Sequence, residues 1–332
     1  MYVDSNFRTT DNYANFLKSL GWQISNIYDK KNKQNIRVFL WKIPFINKKF
    51  GQIQKSPTNI DLDLIGTFCT DQSVLFLLIS FNISASSIEA TRLSKLLSKF
   101  FFLPVGWCNS PTKTTIISLN QSIEKIFNTF KSKTRYNIRL SKKKDVKVVT
   151  IKGSEFAKFS NLLGNFVKIL DKKNSNKKLS KFSFQYLKKL AFFFKDDLLI
   201  FVATKNEEVV AGAIFLGDKK TFSYTQNASN TVGKQFFAPS LLVYTAIKYA
   251  KNKNYSFFDF EGIEDYRVLE TKSWKGFTRF KRNFSNCSND TEYMLPYKKV
   301  FSSKSSKLEL MIGQFYCRKF IFPFIYPSEY YF

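Results

Sequence analysis

Between Thr221 and Gly262 the sequence runs strand, loop, helix, strand: TFSYTQ, then NASNTVGKQFFAP, then SLLVYTAIKYAKNKNY, then SFFDFEG. Leu241, Leu242, Thr245, Ala246 and Tyr249 recur at helical spacing, and Pro239 suits the first helical position, where its missing N–H removes no intrahelical bond. A strand that returns through a helix to another strand is the building step of an α/β unit, and no other stretch constrains the fold as strongly.

The rest of the chain reads as further mixed α/β structure. FLKSLGW ends a first helix at Gly21, a residue suited to a helix C-terminus. NIRVFLWKIP and QIQKSP predict a hairpin around Lys48, Lys49 and Gly51, followed by a buried strand from Val74 to Phe81, an amphipathic helix in SSIEATRLSKLLSKFF and a strand from Thr114 to Leu119. SIEKIFNTFKSKTRYNIRLSKK predicts one helix or two in tandem, with Ile123, Ile126, Phe127 and Phe130 on one face. From Val146 a new series begins: a strand, two helices separated by a Lys-rich loop at Asp171 to Lys181, and the strands LLIFVAT and VVAGAIFLG. At 332 residues two such units fit better than one, and the tail from Asp290 adds strands that return to the first. No clean internal repeat is visible.

Composition removes several kinds of chemistry. The chain has no histidine, and Cys69, Cys108, Cys287 and Cys317 form no CxxC pair, which argues against a zinc site, a disulfide framework, Ser-His-Asp or Cys-His nucleophiles and an imidazole base. The longest apolar run, Val74 to Phe81 in SVLFLLISF, is about half of the ~20 residues a membrane-spanning helix needs, and the N-terminus has no secretory pattern, so a cytoplasmic location is expected. With 53 Lys and Arg against 25 Asp and Glu, the charge of +28 favours a polyanionic partner, RNA or an anionic membrane surface. AT-rich coding would enrich Lys, Asn, Ile and Phe as well, so charge alone does not decide function.

Four constellations carry candidate chemistry. The loop Asn227 to Pro239, with Gly233 and Lys234, leads into a helix N-terminus and would favour a phosphate or carboxylate; an ordinary strand-to-helix loop is the alternative. KSKTRYNIRLSKKK interleaves Arg135, Asn137, Arg139 and Lys142 with Tyr136 and suits a nucleotide or RNA, whereas spacing alone would favour a solvated basic face. KGFTRFKRNF, Lys275 to Phe284, reads as a strand with Arg279 and Lys281 on one face and Phe280 with Arg282 on the other; the alternative is a cationic edge strand. Of the carboxylates in FFDFEGIED, Asp259 is the candidate for orienting a lysine or accepting a proton, while Glu264 and Asp265 fit turn capping.

Taken in order, FLKSLGW, KIPFINKKFGQIQKSP, KTRYNIRLSKKKDVKV, the block from SYTQNAS to FFAPSLLVYTAIKYAK, and DFEGIEDYRVLETKSWKGFTRFKRNF resemble the FemAB family of peptidoglycan bridge-forming aminoacyltransferases. The resemblance implies an α/β (α+β) fold of two tandem GNAT (acyl-CoA N-acyltransferase)-like domains with mixed, mostly antiparallel sheets. It places residues 1–145 plus 290–332 in the first domain and 146–289 in the second. It further implies aminoacyl-tRNA as co-substrate, a peptidoglycan precursor (lipid II or UDP-MurNAc-peptide) as acceptor, no metal, no coenzyme A, and at most peripheral contact with the inner face of an anionic membrane. By motif match Lys281 resembles the family's FK lysine beside the reacting ester, with Phe280 as its aromatic neighbour. Lys55, Arg135, Asn137, Arg139, Tyr224, Lys234 and Arg279 form the expected substrate-binding set. Lys55 and Lys234 stand where relatives carry arginine, and Glu261 stands where DFWG-like versions carry a neutral residue.

Overall fold

The computed structural model describes residues 6–106, 110–176, 183–285, 287–301 and 307–317. In chain order the first part contains α1 (Asp11–Ser19), β1 (Gln23–Asp29), β2 (Gln34–Ile43), β3 (Lys48–Ser56), α2 (Leu62–Asp71), β4 (Val74–Phe81), α3 (Ile88–Lys99) and β5 (Leu103–Pro104). It continues through β6 (Lys113–Ser118), α4 (Ile123–Thr129), α5 (Ser132–Lys143), β7 (Lys147–Lys152), α6 (Ser160–Asn176), α7 (Phe184–Phe194), β8 (Leu198–Lys205) and β9 (Glu208–Gly217). The last part holds β10 (Thr221–Ser229), α8 (Thr231–Gln235), α9 (Ala238–Asn252), β11 (Phe257–Gly262), α10 (Lys275–Lys281), β12 (Asp290–Glu292), β13 (Tyr297–Val300) and α11 (Lys307–Tyr316).

Two sheets result, ordered β1-β2-β3-β4-β13-β5 and β12-β6-β11-β10-β9-β8-β7. Each is antiparallel except for one parallel pair, β3 with β4 and β10 with β11, and each parallel pair is joined by a helical crossover, as parallel neighbours require. The two-unit α/β organisation expected from the sequence is therefore present. Strand β13 carries the C-terminal return predicted for YMLPYKKV.

Details depart from the sequence reading. Strand β1 precedes the predicted hairpin and pairs with β2 along its whole length, and α2 fills the connection before β4. The division between units also lies elsewhere than residue 145. Strand β6 sits inside the second sheet beside β11, and Ile117, Ile126, Phe130 and Ile138 pack in one core with Ala246, Ile247 and Phe260, so the segment from β6 through α5 builds on the second sheet. At the other end β12 still pairs with β6, and the chain crosses back only at β13. Most of the expected Lys-rich loop is helical as the end of α6; residues 177–182, Cys108 and the aromatic tail 318–332 lie outside the described residues.

Several helices begin where a short polar side chain accepts an amide of the first turn: Thr10 from Tyr13, Asp61 from Leu64, Ser87 from Ala90 and Ser122 from Lys125. The sheets meet through aromatic side chains. Phe16 on α1 stands edge-on to Tyr186 at 5.3 Å and to Phe194 at 6.3 Å, both on α7, and Phe7 meets Phe194 at 6.5 Å. These rings belong to one continuous buried cluster containing Phe50 and Phe76 from the first sheet and Phe166 and Ile200 from the second unit. A large apolar junction of this kind holds the two units in a defined relation.

Candidate active site

A cavity of about 580 Å³ opens where α5, α8, the start of α9 and α10 converge beside the end of β10. Five cations line it, Lys131, Lys133, Lys234, Arg279 and Lys281, and among the described residues no carboxylate does. The backbone adds to that charge. The residues just before α5 and α9, Lys131 and Phe237, provide no side-chain cap, and residues of both first turns, Lys133, Thr134, Pro239 and Ser240, face the cavity. Two helix N-termini aimed at one carboxylate-free space favour an anion.

Lys275 to Phe284 is not a strand. Its first seven residues form α10, because Phe277, Phe280, Lys281 and Phe284 recur at the i, i+3, i+4, i+7 spacing of one helical face, a pattern that coexists in this segment with the period-two alternation. That face forms the cavity floor and packs on the second core through Phe280 and Phe284, whose ring centroids lie 5.3 Å apart. Lys281 is 1% exposed; its Nζ donates to the Gly262 carbonyl at 2.8 Å and lies 4.9 Å from the Phe277 ring and 5.9 Å from that of Tyr224. Buried, held by a backbone carbonyl and still in contact with the cavity, this ammonium is a fixed positive charge.

The cavity brings together Lys281, Phe280, Arg279, Lys234 and Asn137 from the expected set. Tyr224 lies beneath it in the core, stacked on Phe215 at 4.9 Å. Lys131 and Lys133, at the start of KSKTRYNIRLSKKK, also line the site. Arg135 instead donates to the carbonyls of Asn128 and Phe130, closing the C-terminus of α4, and Arg139 is exposed beside Phe127 at 5.5 Å. Gly233 does not open a phosphate cradle: its N–H donates to Asn230 Oδ1 at 2.8 Å, and a Cβ there would lie 2.2 Å from the Val210 carbonyl oxygen. Close packing of α8 on β9 is the reason for glycine. Pro239 occupies the second position of α9, not the first. Gly233→Ala is accordingly expected to lower stability by about 3 kcal/mol, the upper end of the usual overpacking cost, because backbone and not a movable side chain blocks the methyl; urea unfolding at equilibrium measures it.

Asp259 and Lys55 belong to a separate buried cluster. Along β11, Phe258 and Phe260 enter the core, while Asp259 and Glu261 take the opposite face. Asp259 accepts the Thr114 hydroxyl and, at 2.7 Å, the Glu261 N–H; Glu261 in turn receives both terminal nitrogens of Arg8 at 3.0 and 2.8 Å. Lys55 lies 3.8 Å above the Tyr293 ring. Burial pushes the Asp259 carboxyl up to about 6, with the Glu261 charge adding to it, and burial, assisted by Arg8, pushes the Lys55 amine down to about 8. Neither residue lines the cavity, so the geometry does not join Asp259 to Lys281.

The sign of the Asp259 effect is testable. The folded chain holds this proton more tightly than the unfolded chain, so its contribution to stability is greatest in acid and falls as pH rises. Relative to Asp259→Asn, the wild type is expected to lose on the order of 2–3 kcal/mol between pH ~4 and ~6 and to run parallel above that, as linkage requires for a carboxyl raised to about 6. Chemical denaturation of both proteins across that range checks it.

Residues 204–291 match the model of the FemAB family. Over that segment the chain resembles the FemAB family. The matched FemAB segment runs from the end of β8 into β12 and contains Tyr224, Lys234, Asp259, Arg279, Phe280 and Lys281. Among solved structures, that of FemX superposes with a TM-score of 0.73 at 13% identity, covering 90% of this chain and 93% of that one. The C-terminal domain of a putative lysylphosphatidylglycerol synthetase from Agrobacterium fabrum gives 0.60 at 11% identity, with 93% of each chain covered. A tandem GNAT protein from the clavulanic acid biosynthesis pathway gives 0.50 at 6%, covering 83% and 82%. At these identities the likeness is one of fold, and it supports the tandem GNAT-like description. No curated protein sequence matches the chain. Among the described residues no helix is long and apolar enough to cross a membrane, and no group of three or more His, Cys, Asp or Glu is placed to hold a metal ion.

Proposed function

We propose that this FemAB-type protein moves an aminoacyl group from the ester of a charged tRNA to an amine on the stem peptide of a peptidoglycan precursor. The observation that carries the reading is Lys281: a buried ammonium at the floor of a cationic, carboxylate-free cavity, inside the segment that matches the family model. The cavity suits the phosphodiester end of an RNA, with Lys131, Lys133, Lys234 and Arg279 as phosphate partners and the uncapped turns of α5 and α9 adding favourable dipoles. Commitment of the Gly233 N–H to Asn230 supports a donor other than coenzyme A, whose pyrophosphate would need such amides.

An aminoacyl ester is already activated, so no nucleophile from the protein is required. The acceptor nitrogen attacks the ester carbonyl carbon, a C–N bond forms, and the carbonyl oxygen takes up negative charge opposite the Lys281 ammonium. The C–O bond to the ribose then breaks, and the ribose oxygen leaves with the proton that the new ammonium gives up, directly or through water. Lys281 supplies electrostatic stabilisation to the oxyanion, and the cavity supplies alignment of amine and ester. Asp259, engaged by Thr114 and the Glu261 amide on the other side of β11, takes no part in this proton transfer.

Donor competition tests the reading. Protein mixed with peptidoglycan precursors, a pool of aminoacyl-tRNA and an acyl-coenzyme A is expected to add an aminoacyl mass to the stem peptide from the tRNA. Acyl transfer from coenzyme A, or transfer to a phospholipid added as a competing acceptor, would replace this function with another acyltransferase activity on the same fold.

A further inference from the structure

Outside the cavity, the buried Arg8 guanidinium reaches strand β11 and pairs with Glu261. Strand β11 breaks register with β6 between Asp259 and Gly262, and within that bulge Glu261 takes a left-handed backbone, φ 58°, which a side-chain-bearing residue adopts only when its surroundings force it. Three contacts do the forcing. Asp259 accepts the Glu261 N–H at 2.7 Å, the Thr114 hydroxyl shares its one proton between Asp259 and the Glu261 carbonyl 2.9 Å away, and the Arg8 guanidinium grips both oxygens of the Glu261 carboxylate, with each side chain of that ion pair 3% exposed. The next residue along the chain is Gly262, whose carbonyl accepts the Lys281 ammonium. Arg8 is itself fixed: its N–H and one terminal nitrogen donate to Asn6 Oδ1 at 3.0 and 3.3 Å, and its guanidinium lies 4.3 Å from the Phe7 ring, which packs on Phe194 at the junction of the two units.

We propose that Arg8 is a positioning residue for Lys281, acting through Glu261 and the bulge that aims the Gly262 carbonyl; the assignment rests on the function proposed above only in taking Lys281 as the reacting-site cation. Arg8 does not line the cavity. Without the guanidinium, the Glu261 carboxylate loses its paired hydrogen bonds and keeps only the Lys55 charge to offset its burial beside Asp259, which favours its turning toward water. The left-handed backbone then relaxes, and the carbonyl that anchors Lys281 rotates with it.

The test measures how fast the Lys281 amine is acylated by an amine-reactive ester, read by peptide mass spectrometry against the exposed Lys234 of the same cavity as internal standard. In the wild type Lys281 is expected to react far more slowly than Lys234. Arg8→Ala is expected to raise the Lys281-to-Lys234 ratio on the order of tenfold, the scale of one charge-assisted hydrogen bond, and to lower kcat about as much with KM for charged tRNA held within about twofold. Glu261→Gln, which keeps the side-chain shape and removes the charge, is expected to move both in the same direction by less, and it decides the matter if Arg8→Ala does not fold. An unchanged labelling ratio in a cooperatively folding variant overturns the proposal, as does a raised ratio with unchanged kcat. If the wild type transfers nothing from tRNA while the ratio still responds to Arg8→Ala, the proposed function fails and the positioning of Lys281 by Arg8 stands.

Discussion

Lys281→Met is expected to lower the rate of aminoacyl transfer by a factor of about 10² to 10³, the usual loss when one preorganised donor to an oxyanion is removed. The side chain is buried and its ammonium is anchored 2.8 Å from the Gly262 carbonyl, so its charge is fixed before substrate arrives and need not reorganise as the oxyanion forms. Methionine matches the length and apolar stem of lysine, leaving Phe277 and Tyr224 packed, and deletes only the cation. Stability should change by no more than about 2 kcal/mol, because an unpaired carbonyl and the release of a buried charge act in opposite directions. Single-turnover transfer with saturating charged tRNA separates this loss of the chemical step from weaker binding. An unchanged rate in the folded variant would remove Lys281 from the mechanism.

Reversal of charge at the cavity mouth should act on binding instead. Lys234 and Arg279 enter from α8 and α10, and nothing acidic among the described residues lines the space between them. Lys234→Glu combined with Arg279→Glu is expected to weaken binding of a short single-stranded RNA ending in the tRNA terminus by a factor of about 10² at moderate salt, and to make the salt dependence shallower by roughly 1.4 in log-log slope, since each lost phosphate contact removes about 0.7. Fluorescence anisotropy over a salt series reads both quantities. Equal affinity and slope in the two proteins would mean that RNA engages a different part of the +28 surface.

What was legible in the sequence follows the range of the interaction behind each feature. Strand β10, helix α9 and strand β11 are local patterns, with Leu241, Ala246 and Tyr249 at helical spacing between two apolar strands, and they form as read. Segment 275–284 was ambiguous because Phe277, Arg279 and Lys281 alternate while Phe277, Phe280, Lys281 and Phe284 also fit a helix; packing of Phe280 and Phe284 on the second core decides for the helix. Strand β1, QISNIYD, lacked a signal because most of its residues are polar and its stability comes from pairing with β2.

The site divides in the same way. Alternation along β11 puts Asp259 and Glu261 on one face, but only the assembled sheets show that this face lies away from Lys281. Placement of β6 in the second sheet is likewise a tertiary event that moves α4 and α5 with it and carries the first turn of α5 to the cavity. The Arg8–Glu261 pair joins residues 253 positions apart, and nothing in the sequence near either one announces the other. Glu261 was visible as a departure from the family motif, yet its partner was not.

The most direct measurement is a crystal structure with a non-hydrolysable analogue of the terminal aminoacyl nucleotide, in which an amide replaces the reacting ester. The analogue is expected in the cavity between α5, α9 and α10, its carbonyl oxygen within hydrogen-bonding distance of Lys281 Nζ and its phosphate among Lys131, Lys133, Lys234 and Arg279. Binding of the analogue in the buried cluster around Lys55 and Asp259, or on the outer surface with Lys281 still covered, would contradict it.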